Sequence, residues 1–235
     1  MKKKNQETEE PLHTKIKVLL SLFWERAEAF FIKIKLHRRK NLLSTFDIFK
    51  AYLKLRKGDV VLTGNFKSPK NMIIPGALSH ASLYIGRGKI IQAIGTGVEY
   101  NSVRHLLKES DTLVILRLPR RTKHKRQIIK LAITYAKQQL GKPYENFFRE
   151  DKKQFFCTGL VNESFKNAGY KTKLQSIKPF RTSFDKISKH ILDVTHWLTP
   201  IEFLNGNFRI VFLSHNLMYN GTEILIRADT LPKNL

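Results

Sequence analysis

The sequence SHASLYIGRGKIIQA at residues 79–93 predicts a β-hairpin. From His80 to Ile85, polar and apolar side chains alternate, which is the period of a strand with one face buried and one face in water. Gly86-Arg87-Gly88-Lys89 has the composition of a tight turn, and residues 90–93 return as a second strand. The hairpin therefore predicts a sheet with antiparallel neighbours.

The segments on either side of this hairpin extend the sheet and add helices to it. Short apolar runs predict further strands, the last two at a sheet edge: Val60–Leu62, Val98–Asn101, Leu113–Leu118, Phe208–Leu213 and Glu223–Arg227. Helical periodicity predicts helices at 46–55, 128–139 and 157–168, with Gly141 and Gly169 just beyond the last two. Thr199-Pro200-Ile201-Glu202 predicts a capping box that opens a short helix. The fold class is therefore α+β, with an antiparallel sheet and helices segregated from it.

The chain divides by composition into three parts. Residues 1–13 are polar and predict a disordered tail, residues 14–56 predict a helical extension, and residues 57–235 predict one globular domain. Within the extension, residues 14–36 carry apolar side chains at helical spacing. This amphipathic helix is expected to pack on the domain or on a partner. A helix lying in a membrane interface is the alternative.

Composition limits the class of protein. Among 235 residues, 42% are apolar, which excludes a chain disordered throughout. The single cysteine excludes an internal disulfide framework, and no apolar run is long enough for a membrane-spanning helix. The apolar run at 18–24 lacks the features of a signal peptide. We therefore expect a protein that is cytoplasmic or peripheral to a membrane.

The charge balance points to an anionic partner. Lys and Arg number 43 against 19 Asp and Glu, a formal net charge of +24. The chain has no zinc-finger spacing, RNA-binding aromatic signature or basic zipper, so nucleic acid is not an expected partner. An anionic membrane or polymer surface is expected instead.

Cys157 lies at the start of a predicted helix, after the aromatic pair Phe155-Phe156. Partial positive charge and unpaired N–H groups at a helix start stabilise a thiolate, which is the nucleophilic form of cysteine. The same N–H groups can hold a developing oxyanion. A lone cysteine can equally be a small buried hydrophobic residue, so the helix position alone leaves both interpretations open.

A base and an orienting group are predicted on the hairpin. His80 begins the first strand, and its sequence context is the most suitable among the eight histidines. Gln92 is the polar residue in the apolar second strand, where a buried amide needs a hydrogen-bond partner and an imidazole N–H would serve. The alternative is that both side chains lie on the face of the sheet that contacts water.

These residues, taken in order, resemble a known family. The resemblance rests on six segments: Gly58-Asp59-Val60-Val61, Ser79 to Gly86, Gly88 to Ala93, Gly97-Val98, Gly141-Lys142-Pro143-Tyr144 and Phe156 to Val161. Together they resemble the circularly permuted NlpC-type papain fold, in its YiiX-like branch. The resemblance implies Cys157 as nucleophile, His80 as base and Gln92 as the third residue.

Two positions depart from the family pattern. Glu is common where this chain has Gln92, and an amide can fix the imidazole ring but cannot stabilise an imidazolium by charge. An acidic residue is common where this chain has Gly159. The resemblance also implies that Tyr144, Ser79 and Thr158 contact substrate.

The expected function is a cysteine hydrolase that cleaves an amide or ester through an acyl-thioester. A peptide of the cell wall or an N-acyl compound is the implied substrate. The alternatives are a membrane lipid acyltransferase or phospholipase of the lecithin:retinol acyltransferase type, docked through residues 14–36, and an inactive basic binding module. We expect no cofactor and no metal, because one Cys and scattered His residues give no metal-ligand spacing.

Overall fold

The computed structural model describes residues 41–66, 76–144, 156–176 and 198–230. The predicted tail and the predicted helix at 14–36 lie outside the described residues, as do residues 67–75. The division into tail, extension and domain therefore stays a prediction. No helix in the described part of the chain combines the length and apolar character needed to cross a membrane.

An antiparallel sheet of six strands forms the centre of the fold, in the order β4-β3-β2-β1-β5-β6. A pair of short strands, β7 and β8, forms a second sheet. The strands are β1 (Val60–Gly64), β2 (His80–Gly86), β3 (Lys89–Ile94), β4 (Gly97–Ser102), β5 (Thr112–Arg117), β6 (Arg209–Leu213), β7 (Leu217–Tyr219) and β8 (Ile224–Ile226). The predicted strands are confirmed. β6 lies at the sheet edge as expected, whereas β8 pairs with β7 in the second sheet and does not extend the first one.

Helices pack on this sheet, which confirms the α+β class. The helices are α1 (Thr45–Lys54), α2 (Val103–Lys108), α3 (Lys125–Gln138), α4 (Cys157–Asn167) and α5 (Glu202–Asn205), followed by a 3-10 turn at Ala228–Thr230. Gly141 and Gly169, beyond α3 and α4, have the positive φ angles of 80° and 75° that glycine readily adopts. The sequence reasoning missed α2 and β7, because each is too short to show a period.

The predicted hairpin is β2 and β3, joined at Arg87 and Gly88. Both residues have positive φ, 53° and 69°, the backbone of a tight turn whose twist matches the paired strands. Leu83 pairs with Ile91 and Tyr84 with Ile90, and this register places the second half of β3 beside the start of β2.

The expectation that one face of β2 contacts water is wrong. Ser82 is fully buried and Tyr84 is 8% exposed. Tyr84 belongs to a second apolar cluster, which α1 and α2 complete through Ala51 and Leu107. The alternation in sequence shows which side chains are polar, but it does not show that α1 and α2 bury the more polar face of β2 as well.

The apolar cluster on the other face is formed by the sheet together with α3 and α4. Ala132 and Ala136 contribute from α3, and Leu160, Val161 and Phe165 contribute from α4. The small residues on α3 allow it to pack closely against α4. This packing fixes the position of α4, the helix that begins at Cys157.

The predicted capping box at Thr199 is wrong. The short helix α5 begins at Glu202, its N-cap is Ile201, and no side-chain cap is formed. Residues 199–201 form a turn instead, in which the carbonyl of Thr199 accepts from the N–H of Glu202. Within the described residues, the buried hydroxyl of Thr199 has no hydrogen-bond partner.

Buried carboxylates tie the segments before β1 to the sheet. Asp47 completes a capping box with Ser44 at the start of α1 and accepts from the backbone N–H of His215 at 3.0 Å and from its Nδ1 at 2.5 Å. Burial raises the pKa of Asp47, but the hydrogen bonds from Ser44 and His215 outweigh it and hold the pKa below its ordinary value. Asp59, fully buried, accepts from Arg117 Nε at 2.6 Å and Nη2 at 2.7 Å.

Candidate active site

The first residue of β2 is His80, whose position is fixed by pairing with β1. His80 pairs with Thr63, and the N–H of Ser79 donates to the Thr63 carbonyl at 2.9 Å. Ala77 and Leu78, just before it, are buried and anchor the entry of the strand. His80 is half-buried at this position.

Gln92 meets this imidazole from β3. Its side chain is 3% exposed, and its Oε1 lies 3.0 Å from Nε2 of His80. An amide oxygen only accepts hydrogen bonds, so Nε2 of His80 must carry the proton. In a neutral ring Nδ1 then has the lone pair and can take a proton from a nucleophile.

A carboxylate that the sequence analysis missed lies behind Gln92. Gln92 Nε2 donates to Oε1 of Glu99 at 3.2 Å, and Oε2 of Glu99 accepts from Thr96 Oγ1 at 3.0 Å. Gln92 and Glu99 are direct neighbours across β3 and β4. The signal was present in the sequence, because the turn at Gly95-Thr96-Gly97 sets this register.

Cys157 is the first residue of α4 and is 6% exposed. The N-cap residue, Phe156, forms no side-chain cap, and the first turn of the helix contains no acidic residue. The N–H groups of this turn and the helix dipole therefore act on the thiol without an opposing carboxylate in the turn, an arrangement that favours a thiolate.

The helix α4 packs against β2 and β3, the two strands that carry His80 and Gln92. The packing is apolar and buries Leu160, Val161 and Phe165 completely. Three residues far apart in the chain are therefore carried by elements in direct contact. A thiol at a helix start and an oriented imidazole on neighbouring elements can together perform nucleophilic catalysis.

Gly159, one of the departures from the family pattern, has a steric reason. A Cβ atom at this position would lie 3.1 Å from the ring of Phe156, closer than ordinary van der Waals contact. The absence of a side chain allows the ring of Phe156 to pack against the first turn of α4. An acidic residue here would require that ring to shift.

The residues expected to contact substrate differ in their surroundings. Thr158 is 1% exposed, and its hydroxyl donates to the carbonyl of Leu198 at 2.5 Å, which joins α4 to the segment before α5. Tyr144 is half-buried against the apolar cluster under α4. Ser79 is half-buried beside His80. Their roles in substrate binding stay predictions.

Comparison with known proteins identifies a family for this chain. The family model described as permuted papain-like amidase enzyme, YaeF/YiiX, C92 family, matches residues 54–204. The chain belongs to this family. The match includes the whole of β1 to α4, and with them His80, Gln92, Glu99 and Cys157.

A solved structure of the same type supports the fold. The crystal structure of the metalloprotein yiiX from Escherichia coli O157:H7 has a TM-score of 0.58 and 19% identity to this chain, covering 68% of this chain and 97% of that one. At this identity the likeness supports the fold alone. No curated protein matches the chain.

That neighbour is described as a metalloprotein. In residues 41–66, 76–144, 156–176 and 198–230, no group of three or more His, Cys, Asp or Glu side chains could hold a metal ion. The donors described here therefore fall short of the three or four protein ligands of a typical zinc site.

Proposed function

We propose that this member of the permuted papain-like amidase family is a cysteine amidohydrolase with Cys157 as nucleophile, His80 as general base and acid, and Gln92 as the orienting residue. The observation that carries the proposal is the 3.0 Å contact between Gln92 Oε1 and His80 Nε2. It holds the imidazole with Nδ1 as its proton-accepting atom, on a strand against which the helix of Cys157 packs.

The proposed reaction has two halves. Nδ1 of His80 takes the proton of the Cys157 thiol, and Sγ attacks the substrate carbonyl to form a tetrahedral oxyanion. The imidazolium then gives this proton to the leaving amine, which departs and leaves an acyl-thioester on Cys157. Water attacks the thioester with His80 as base, the carboxylic acid is released, and the free thiol returns.

The developing oxyanion needs hydrogen-bond donors. We propose the backbone N–H groups in the first turn of α4, which point along the helix axis at the position where Cys157 begins it. Tyr144 is proposed to line the same site, since the segment carrying it is bound to β4. In that segment Gly141 N–H donates to the Val98 carbonyl, and Val98 N–H donates to the Lys142 carbonyl, both at 2.9 Å.

A peptide amide or an N-acyl compound is the proposed substrate class, because the family is described as amidase. The net charge of +24 favours an anionic form of either, through long-range attraction that raises the association rate. Hydrolysis of acidic and neutral versions of one acyl amide at low and high salt measures this contribution.

The single cysteine makes the thiol directly testable, because every thiol alkylation in the full chain is at Cys157. We expect iodoacetamide to alkylate the native protein faster than the urea-unfolded protein at neutral pH, and His80→Ala to abolish the excess rate. Cys157→Ser is the blank. An alkylation rate equal to that of the unfolded chain, unchanged by His80→Ala, would contradict the proposal.

An exposed apolar face of α1 favours a second candidate, a lipid acyl hydrolase or acyltransferase that acts at an anionic membrane surface. Phe46, Phe49 and Leu53 lie one turn apart on α1 and are 63%, 60% and 72% exposed. Lys50 lies 4.0 Å above the ring of Phe46, and Lys54 ends the helix. Apolar side chains flanked by lysine suit the interface of an anionic bilayer.

Vesicle co-sedimentation tests this surface. We expect vesicles with phosphatidylserine to bind the full chain, pure phosphatidylcholine vesicles to bind it weakly, and Phe49→Ser/Leu53→Ser to reduce binding. Leu131→Ser, at a residue of α3 that is 43% exposed, is the matched control. Binding that ignores lipid charge, or that the double substitution leaves unchanged, would contradict the second candidate.

A further inference from the structure

We propose that Glu99 is a positioning residue of the same site: its carboxylate selects which end of the Gln92 amide faces His80, and so selects the proton position on the imidazole. The inference rests on the proposed function. Glu99 is carried by β4, one strand beyond Gln92. Its hydrogen bonds with Gln92 and Thr96 support this role.

The two ends of a glutamine amide have nearly the same shape but opposite hydrogen-bonding character. The oxygen accepts, and the nitrogen donates. If the amide of Gln92 were turned over, its oxygen would face the carboxylate of Glu99, and its nitrogen would face Nε2 of His80. Two acceptors would then meet 3.2 Å apart, where the structure has a donor and an acceptor. An ionised carboxylate accepts only, so Glu99 excludes the turned orientation.

The carboxylate of Glu99 is itself held in place. Thr96 Oγ1 donates to its second oxygen at 3.0 Å. The turn between them contains Gly97, with φ of 112°, where an added Cβ would lie 2.6 Å from the Lys142 carbonyl oxygen. The turn is therefore packed against the segment after α3, and the pairing of Gln92 with Glu99 is fixed in register.

Glu99 affects the reacting atoms through the position of one proton on the imidazole of His80. With Oε1 of Gln92 facing the ring, Nε2 of His80 is protonated and Nδ1 carries the lone pair that accepts the thiol proton. With the amide turned over, its nitrogen would donate to Nε2, the proton would move to Nδ1, and the imidazole would lose its base on the side of the nucleophile. Glu99 touches neither Cys157 nor, in the proposed mechanism, substrate, so its role is positional.

The direct test is the tautomer of His80, read by two-bond 1H–15N correlation spectra of the full chain labelled with 15N-histidine. All variants carry Cys157→Ala, and spectra are taken about two pH units above the usual histidine pKa so that the ring is neutral. The chain has eight histidines, so the His80 signals are those missing from a His80→Ala sample.

We expect the Nε2–H tautomer in the parent and a mixture of tautomers in Glu99→Ala. Glu99→Gln can offer Gln92 a donating nitrogen as well as an accepting oxygen, so it should also give a mixture of tautomers. Glu223→Ala, at an exposed residue beside β8, removes the same charge away from the site and is the control. A Glu99→Ala spectrum identical to the parent spectrum overturns the inference.

A second substitution that restores the alkylation rate distinguishes loss of positioning from damage to the fold. In the Cys157 protein, Glu99→Ala should lower the alkylation rate about fivefold, the value of one hydrogen bond, and Glu99→Gln, which can donate as well as accept, should lower it too. The exchange Gln92→Glu/Glu99→Gln places a carboxylate on His80 with an amide behind it, and should restore the rate lost in Gln92→Leu. An exchange variant as slow as Gln92→Leu overturns the inference.

The two proposals fail in different ways. An ordinary thiol at Cys157 removes the proposed function, yet the tautomer spectra still report whether Glu99 orients Gln92. A reactive thiol with a tautomer that ignores Glu99 keeps the proposed function and removes the positional role.

Discussion

Replacing Gln92 with leucine tests the orienting bond with little change in the size of the side chain. The substitution removes two hydrogen bonds, from His80 Nε2 at 3.0 Å and to Glu99 Oε1 at 3.2 Å. Glu99 keeps its bond from Thr96. His80 loses the acceptor that fixes its ring and its proton position.

The expected magnitude follows from the bond that reaches the base. A net hydrogen bond contributes about 1 kcal/mol, so the positioned imidazole becomes about fivefold less populated and the alkylation rate of Cys157 falls about fivefold. The free energy of unfolding should change by less than about 1 kcal/mol, because the position is 3% exposed and leucine fills it with apolar volume. Reactivity therefore falls more than stability.

The assay is the second-order rate constant for iodoacetamide, with urea unfolding measured on the same samples. The expected order of rates is native, then Gln92→Leu, then His80→Ala. Gln139→Leu, at a residue that is 5% exposed and donates to the Tyr135 carbonyl on α3, is the matched control and should react at the native rate. A Gln92→Leu rate equal to native, with His80→Ala slow, would refute the orienting role.

Two further predictions concern the ion pairs that hold the sheet. Arg117→Leu leaves the fully buried Asp59 without its guanidinium and should lower the free energy of unfolding in urea by about 3 kcal/mol. Lys166→Leu breaks an exposed ion pair on α4 and should lower it by less than about 0.5 kcal/mol. Equal losses for the two variants would contradict this prediction. The lowered pKa of Asp47 means that its stabilising effect is full above the ordinary value and disappears as pH falls below about 4. The difference in unfolding free energy between the native protein and Asp47→Asn should therefore shrink on acidification, and a constant difference would refute the linkage.

The hairpin shows which features of the fold a local sequence pattern can predict. Alternation from His80 to Ile85 and glycine at the turn predicted β2, β3 and their connection, and the structure has them at those positions. The same alternation predicted that one face of β2 contacts water, which is wrong because α1 and α2 cover the face that carries Tyr84. The polarity of side chains along a strand does not predict whether a helix from another part of the chain packs on that strand.

The residues of the candidate site also differ in how far the sequence alone identified them. Gln92 was found because a buried amide in an apolar strand is conspicuous, and Cys157 because it is the one cysteine at a helix start. Glu99 was missed although it lies only seven residues from Gln92. It is an acidic residue in a strand of mixed polarity, and cross-strand register, more than residue type, gives it a role.

The sequence alone determined the local elements and the residue types suited to nucleophilic chemistry, because period, turn glycines and helix starts depend on near neighbours in the chain. The tertiary structure decided what those residues contact. Packing on β2 and β3 places α4, the helix that begins at Cys157, against the hairpin, and the register of β3 with β4 places a carboxylate behind the amide. The packing of α4 depends on how long segments of the chain fold over one another, which no local pattern records. The β3–β4 register is local, but it gives Glu99 a role only because the fold also places Gln92 against His80.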